Sequence, residues 1–292
     1  MSETSGRTQA ALAVMLGAAL IGLAPILVRV SELGPQATNL WRFLFALPIL
    51  AVLAARAPKP SRAQVGWLAL AGGLFGFELS LWAAALFLTT IANATLLSNM
   101  TPVCAALFGW LLFKERLPNA AIWGGLTALA GAVALAFGRA QTGAGPASPE
   151  AGWLGDGLGL VAALGYAGYL LIVRSLGTGV SVWAVMFWAS LSAAVYALGA
   201  SLVMGESLLP QTLAGWGVLL ALGLVTQLGG QGLIAYGVGR LPIVVSTILL
   251  WMQPLAAAVL SWALFGEALG PLALAGAALI LAGVFVVQRA RS

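Results

Sequence analysis

Apolar residues run through this chain in blocks of about twenty, the length an α-helix needs to cross the hydrocarbon core of a bilayer. The blocks are apolar on all sides, without the one-sided stripe of a soluble surface helix. Breaking them at charges and at Gly/Pro punctuation predicts ten helices. Five are Ala10–Val30, Gln36–Ala55, Ala63–Leu88, Ile91–Phe113 and Asn119–Gly138; the others are Trp153–Val173, Val182–Met204, Leu213–Val238, Ile243–Phe265 and Pro271–Val287. The first block is longer than a signal-peptide core and no A-x-A cleavage site is evident, so it is read as an uncleaved helix. The longest polar stretch, Arg139–Gly152, reads as a linker between two halves.

The halves repeat one another. Thr95–Leu117 aligns without gaps to Thr247–Leu269, pairing Pro102 with Pro254, Trp110 with Trp262 and Glu115 with Glu267. Further on, Gly124 pairs with Gly276 and Gly131 with Gly283 at the same offset. The predicted organisation is a first repeat at residues 1–138, a linker at 139–152 and a second repeat at 153–292. Five helices is an odd number, so the second repeat sits upside down relative to the first. Inverted repeats of this kind are the architecture of many secondary transporters, whose substrate site lies near the midplane between the halves. A duplicated scaffold or receptor is the alternative.

Composition and charge narrow the class. Of 292 residues 61% are hydrophobic and 7% charged, with a mean hydropathy of +1.03, well outside the range of soluble domains. The predicted fold class is therefore an all-α integral membrane protein. The net charge of +5 does not mark a nucleic-acid partner, because the basic residues are scattered between apolar runs instead of forming one face. With a cytoplasmic N-terminus, 10 of the 13 basic residues fall inside, leaving Arg29, Arg42 and Arg139. That asymmetry predicts that both termini are cytoplasmic. The loop around Glu115 carries Lys114 and Arg116, whereas its mate around Glu267 carries Gly266 and Ala268, as inversion requires. The chain has no His and one Cys, so no metal site, cofactor or intrachain disulfide is expected. It also lacks the Gly-rich phosphate loop of an ATPase.

Few polar residues lie deep in the spans. Glu78 is the only acidic one, and a carboxylate at a helix centre costs about 2.5–3.5 kcal/mol on the insertion scale, so it should face a wet cavity or a partner. It is a candidate for a substrate ammonium or for proton coupling; a structural pair with Arg42 is the other reading. Trp82 follows at i+4 on the same face. Gln227 and Gln231 stand at the matching depth of the second repeat and are expected to line the cavity, or else to bond neighbouring helices. Asn99, Trp251 and Gln253 cluster just before Pro102 and Pro254. Those prolines, with Pro25, are candidate hinges or static kinks, since each removes a backbone donor. Most of the Trp residues, including Trp41, Trp153, Trp183 and Trp216, are read as interfacial anchors. The glycines, as in Gly72-Gly73-x-x-Gly76, are read as sites of close helix packing.

At the paired Pro … Trp-x-Leu-Phe-x-Glu-x-Leu … Gly … Gly segments, Pro102–Gly131 and Pro254–Gly283, and at Arg42-Phe43, the chain resembles the EamA family of the drug/metabolite transporter superfamily. Within it the chain is similar to the YddG-type amino-acid exporters, through Phe77-Glu78 in the third helix and Tyr166 to Tyr169 in the sixth. The resemblance adds Tyr166 to the substrate-binding candidates. Thr101 stands where aromatic exporters of this type carry Trp, which argues against an aromatic-only range. The resemblance implies an alternating-access exporter, not an enzyme, in the cell inner membrane. Its partners would be the bilayer and an amino acid or similar small amphipathic metabolite. Drug or quaternary-cation efflux and a non-transport receptor or scaffold remain the alternatives.

Overall fold

The computed structural model describes residues 2–88, 97–98, 100–114, 119–140, 149–265 and 270–289. Among them the chain is helical. The N-terminal half comprises α1 (Ser2–Ile21), α2 (Ala24–Arg29), α3 (Pro35–Ala55), α4 (Arg62–Leu88), α5 (Thr101–Phe113) and α6 (Asn119–Ala140). The C-terminal half comprises α7 (Pro149–Leu176), α8 (Val182–Val203), α9 (Leu213–Ala221), a π-helical segment (Leu222–Gln231) and α10 (Gly232–Val238). It continues with α11 (Ile243–Leu249), α12 (Met252–Phe265) and α13 (Pro271–Arg289). Six helical stretches are long and apolar enough to cross a membrane: Gly6–Val28, Pro35–Ala55, Arg62–Ala85, Gly152–Gly179, Val182–Val203 and Leu213–Val238.

Three of the expected spans are interrupted, each where a proline comes up. The first turns at Gly22-Leu23 and restarts as α2 with Pro25 in its opening turn. The last of the three breaks at Leu250-Trp251 before α12 and Pro254. α5 begins at Thr101-Pro102, with a turn at Met100. A proline cannot donate to the carbonyl four residues back, and in the first turn of a helix that donor is not needed. At these three points the chain restarts a helix, whereas Pro48 is carried inside α3 without a break.

Helices of one half pack mainly against helices of the other. α6 lies along α13, α3 along α8, and α4 against both α7 and α8. α1 lies against the π segment and α10, and α3 also meets the π segment. By contrast α3 and α4, neighbours in sequence, touch little. Small residues allow the closest crossings. A Cβ on Gly131 would stand 2.6 Å from the Gly276 carbonyl oxygen, and one on Gly283 would collide with the Gly124 carbonyl. Gly72 on α4 abuts the Ala189 backbone of α8, and Gly223 in the π segment stands where a Cβ would meet the Arg42 carbonyl oxygen at 3.1 Å.

The Trp residues divide. Trp153 is 78% exposed and fits an outward anchor, but Trp41 and Trp216 stack edge-on against each other with centroids 4.7 Å apart. The packing of α3 beside α9 and the π segment turns these two rings inward, towards each other. Outward faces elsewhere carry large apolar side chains, including Leu12, Val52, Leu126 and Leu213.

Candidate functional site

The polar centre begins at Arg42. α3 carries it into the contact with the π segment, where it is 3% exposed. Its Nε donates to Gln227 Oε1 at 3.0 Å, and Gln227 Nε2 donates to Ser190 Oγ on α8 at 3.0 Å. The three residues form a chain from α3 through the π segment to α8. The guanidinium carbon also stands 5.8 Å from the centroid of the Phe75 ring on α4.

Phe75 starts an aromatic stack. Its ring lies 4.9 Å from Tyr169 and 6.1 Å from Tyr166, and the two tyrosines of α7 are stacked on each other at 5.8 Å. The i, i+3 spacing on α7 places both rings on one face. Phe43, next to Arg42, closes the stack edge-on at 5.8 Å from Phe75.

Glu78 follows Phe75 by three residues on the same face of α4. It is half-buried and interacts electrostatically with Arg42 and Tyr166. A Cβ on Gly165 would stand 3.2 Å from the Glu78 Cβ, so the missing side chain brings α7 close to the carboxylate. Gln231 completes the group from the end of the π segment. It is 1% exposed and lies beside the Tyr166 and Tyr169 hydroxyls. Neither its Oε1 nor its Nε2 reaches hydrogen-bonding geometry with any described residue. A buried, unsatisfied amide costs about 1–3 kcal/mol, and buried amides in native proteins nearly always have partners.

The structure thus brings Arg42, Glu78, Tyr166, Gln227 and Gln231 to one place. Trp251, 2% exposed, and Gln253, half-buried, flank the break between α11 and α12. Trp82 is half-buried a turn beyond Glu78, with no ring contact to the stack among the described residues. Asn99 lies outside the described residues. Phe75 and Ser190 belong to the centre but escaped sequence reasoning, because a lone Phe or Ser in an apolar helix carries no signal. Gln36, at the start of α3, is similar; it accepts from Ser80 Oγ at 2.6 Å.

The arrangement offers one cation, one carboxylate, a buried amide beside two tyrosine hydroxyls and an aromatic wall, contributed by both halves. A dipolar molecule with an apolar portion is its chemical complement. Among the described residues there is no His/Cys/Asp/Glu group that could hold a metal.

Comparison with known proteins places the whole chain. The model of the EamA-like transporter family matches twice, over residues 8–137 and 153–289. The pseudopaline exporter CntI of Pseudomonas aeruginosa is 25% identical over 231 residues, 79% of this chain and 78% of that protein. A probable terminal-alkyne amino-acid exporter of Streptantibioticus cattleyicolor is 30% identical over 207 residues, 68% of this chain and 64% of the relative. One crystal structure, described only as that of a protein, superposes with a TM-score of 0.78 at 23% identity, over 98% of this chain and 99% of that one. At that identity the likeness speaks to the fold.

Proposed function

The chain belongs to the EamA-like transporter family, a multi-pass membrane protein and not an enzyme, and from that premise we propose that it exports amino acids or similar zwitterionic metabolites. The observation that carries the reading is the Gln231 amide, buried beside the Tyr166 and Tyr169 hydroxyls with neither end in full hydrogen-bonding geometry among the described residues. Such a group is stable once a ligand or ordered water satisfies it. Glu78 holds the substrate ammonium, Arg42 attracts the carboxylate, and Gln231 bonds whichever polar group enters last. Phe75, Tyr166 and Tyr169 cover the apolar part. Gln227 serves differently from Gln231: both ends of its amide are occupied, so it fixes the Arg42 guanidinium in place. Asn99, Trp82, Trp251 and Gln253 complete the expected lining.

The same reading takes the ten predicted helices as two inverted repeats, residues 1–138 and 153–292, joined by 139–152. The exchanged pairing of helices supports it: α4 against α7 answers α1 against α10, and the Gly131–Gly276 contact answers Gly283–Gly124. Alternating access follows if the halves rock about this centre, with Pro25, Pro102 and Pro254 as the flexible points. Charge asymmetry supports an inner-membrane location with both termini cytoplasmic. The two relatives, one an exporter and one described as a probable exporter, support the direction.

Cation efflux is the second reading, favoured by three aromatic rings beside one carboxylate, an arrangement suited to a quaternary ammonium. Arg42 decides between them, because its charge lies against the same rings and repels a bare cation.

The test is uptake of labelled amino acids by liposomes holding the purified protein, with a pooled competition panel and with or without a proton gradient. Saturable uptake competed by amino acids supports the proposal, and Glu78→Gln should abolish it at normal membrane expression. Full activity in Glu78→Gln removes the carboxylate from the mechanism. Movement of cationic dyes without amino-acid flux selects the second reading.

A further inference from the structure

α3 starts without a cap of its own. Its N-cap is Gly34, which has no side chain, and Pro35 follows at the first helical position. The next two amides, of Gln36 and Ala37, are the ones an N-cap side chain normally takes. Here they donate to Glu206, from the far half of the chain, at 3.3 Å to Oε1 and 2.7 Å to Oε2. Glu206 reaches them because α8 ends in a left-handed Gly205 (φ 64°), and the Glu206 amide then turns back to the Ser201 carbonyl at 3.0 Å. Gly34 must be glycine for this contact, since a Cβ there would run into the Glu206 carboxyl group.

The mirror of this contact stands beside it. Glu32, in the turn before α3, accepts from the amides of Gln211 at 2.7 Å and Thr212 at 3.2 Å, and from the Thr212 hydroxyl. Thr212 is the N-cap of α9 and itself accepts from the Gly215 amide at 3.0 Å. A glycine again makes room: a Cβ on Gly215 would stand 2.7 Å from the Glu32 carboxyl carbon. Each half of the chain therefore lends a carboxylate to a helix start of the other half.

A second layer lies beneath the crossed carboxylates. Trp41 Nε1 donates to the Leu208 carbonyl at 2.6 Å, and the Trp41 and Phe45 rings meet Trp216 edge-on. Arg42 is the next residue. From Gln36 to Arg42 is roughly 9 Å along α3 at the α-helical rise. The crossed carboxylates and the tryptophan pair thus join the two halves at the end of α3 that leads to Arg42.

We propose that Glu32 and Glu206 form a two-part latch that closes this end of the transport path, and that both contacts open when the end opens. The proposal rests on the alternating-access reading. Carboxylate-to-amide bonds suit such a device. Each is directional and charge-assisted, yet each carboxylate can exchange its partners for water as the halves part. The latch joins the turns after α2 and α8, so it cannot survive a relative movement of those two turns.

The experiment starts from a Cys104→Ser background, which leaves no native thiol. A reporter thiol is introduced by Ser80→Cys, one hydrogen bond from Gln36. Membrane-impermeant maleimide is then applied from the side on which the latch lies. With the latch intact, labelling is slow; in Glu32→Gln/Glu206→Gln, which keeps side-chain shape but removes both charges, it should rise several-fold. Unchanged labelling overturns the proposal. In a second protein, Gly34→Cys and Glu206→Cys are joined by a short, cleavable thiol crosslinker. Flux should stop on crosslinking and return on cleavage, and flux that persists in fully crosslinked protein overturns the latch. If protein without these two substitutions moves no substrate in the same liposomes, the substrate reading has failed, while Ser80→Cys labelling still reports on the latch.

Discussion

Gln227 holds a guanidinium with one end of its amide and a serine hydroxyl with the other, and those ends should differ in energy. A bond to a charged group contributes about 1.5–3 kcal/mol, whereas neutral bonds between membrane helices average about 0.6 kcal/mol. Gln227→Leu leaves Arg42 Nε buried without its acceptor and should destabilise the protein by about 2 kcal/mol or more. Ser190→Ala leaves only the neutral Gln227 Nε2 without its acceptor and should cost less, about 1 kcal/mol. Thermal unfolding in detergent measures both, and equal losses would refute the bridging role. Glu78 and the two glutamines were legible in the sequence because polar groups stand out in an apolar run. Phe75 was not, since one more ring in such a helix is unexceptional until its partners are known. Nor could spacing reveal that Gln227 is engaged and Gln231 is not. Ser190, Arg42 and Gln227 meet across 37 to 185 positions of chain.

Among the elements, the close crossing of α6 and α13 gives the sharpest expectation. Gly283→Val would drive its side chain into the Gly124 carbonyl and the Ala128 backbone, which no rotamer change relieves. Overpacking of this kind costs about 1–3 kcal/mol and here should reach the upper end, because backbone has to move. Gly217→Val is the control, with no atom within 4 Å of its new Cβ, and should leave the unfolding temperature unchanged or raised. A comparable loss in both variants would mean that glycine content, and not the crossing, sets stability. The sequence marks Pro25, Pro102 and Pro254 as candidate hinges or kinks, and helices restart near them, yet Pro48 sits inside an unbroken α3, so the missing donor alone does not dictate a restart. The π segment could not be anticipated: an extra residue per turn leaves no compositional mark, even though it carries Thr226, Gln227 and Gln231 inward. Wide turns of this kind frequently occur at functional sites.

For the molecule as a whole, orientation is the open quantity that one experiment fixes. Lys/Arg placement predicts that a fluorescent protein fused to the C-terminus will fluoresce and that alkaline phosphatase fused there will be inactive. The reverse result would put the Glu32–Glu206 latch on the cytoplasmic side. The duplication itself was readable, since Pro102 and Pro254 or Gly131 and Gly283 recur at one spacing. Which helices pair was not readable, because a repeat says nothing about whether each copy packs on itself or on its mate. The observed answer, that α1, α3, α4 and α6 find their main neighbours in residues beyond 148, reaches into biosynthesis. At ribosomal rates of 5–20 residues per second, the first half waits on the order of 10–30 s in the bilayer before its partners are made. During that interval its glycine-lined faces meet only lipid or whatever insertion machinery shields them. The nascent chain cannot mature half by half, and two separately expressed halves should recover function only by finding each other in the membrane.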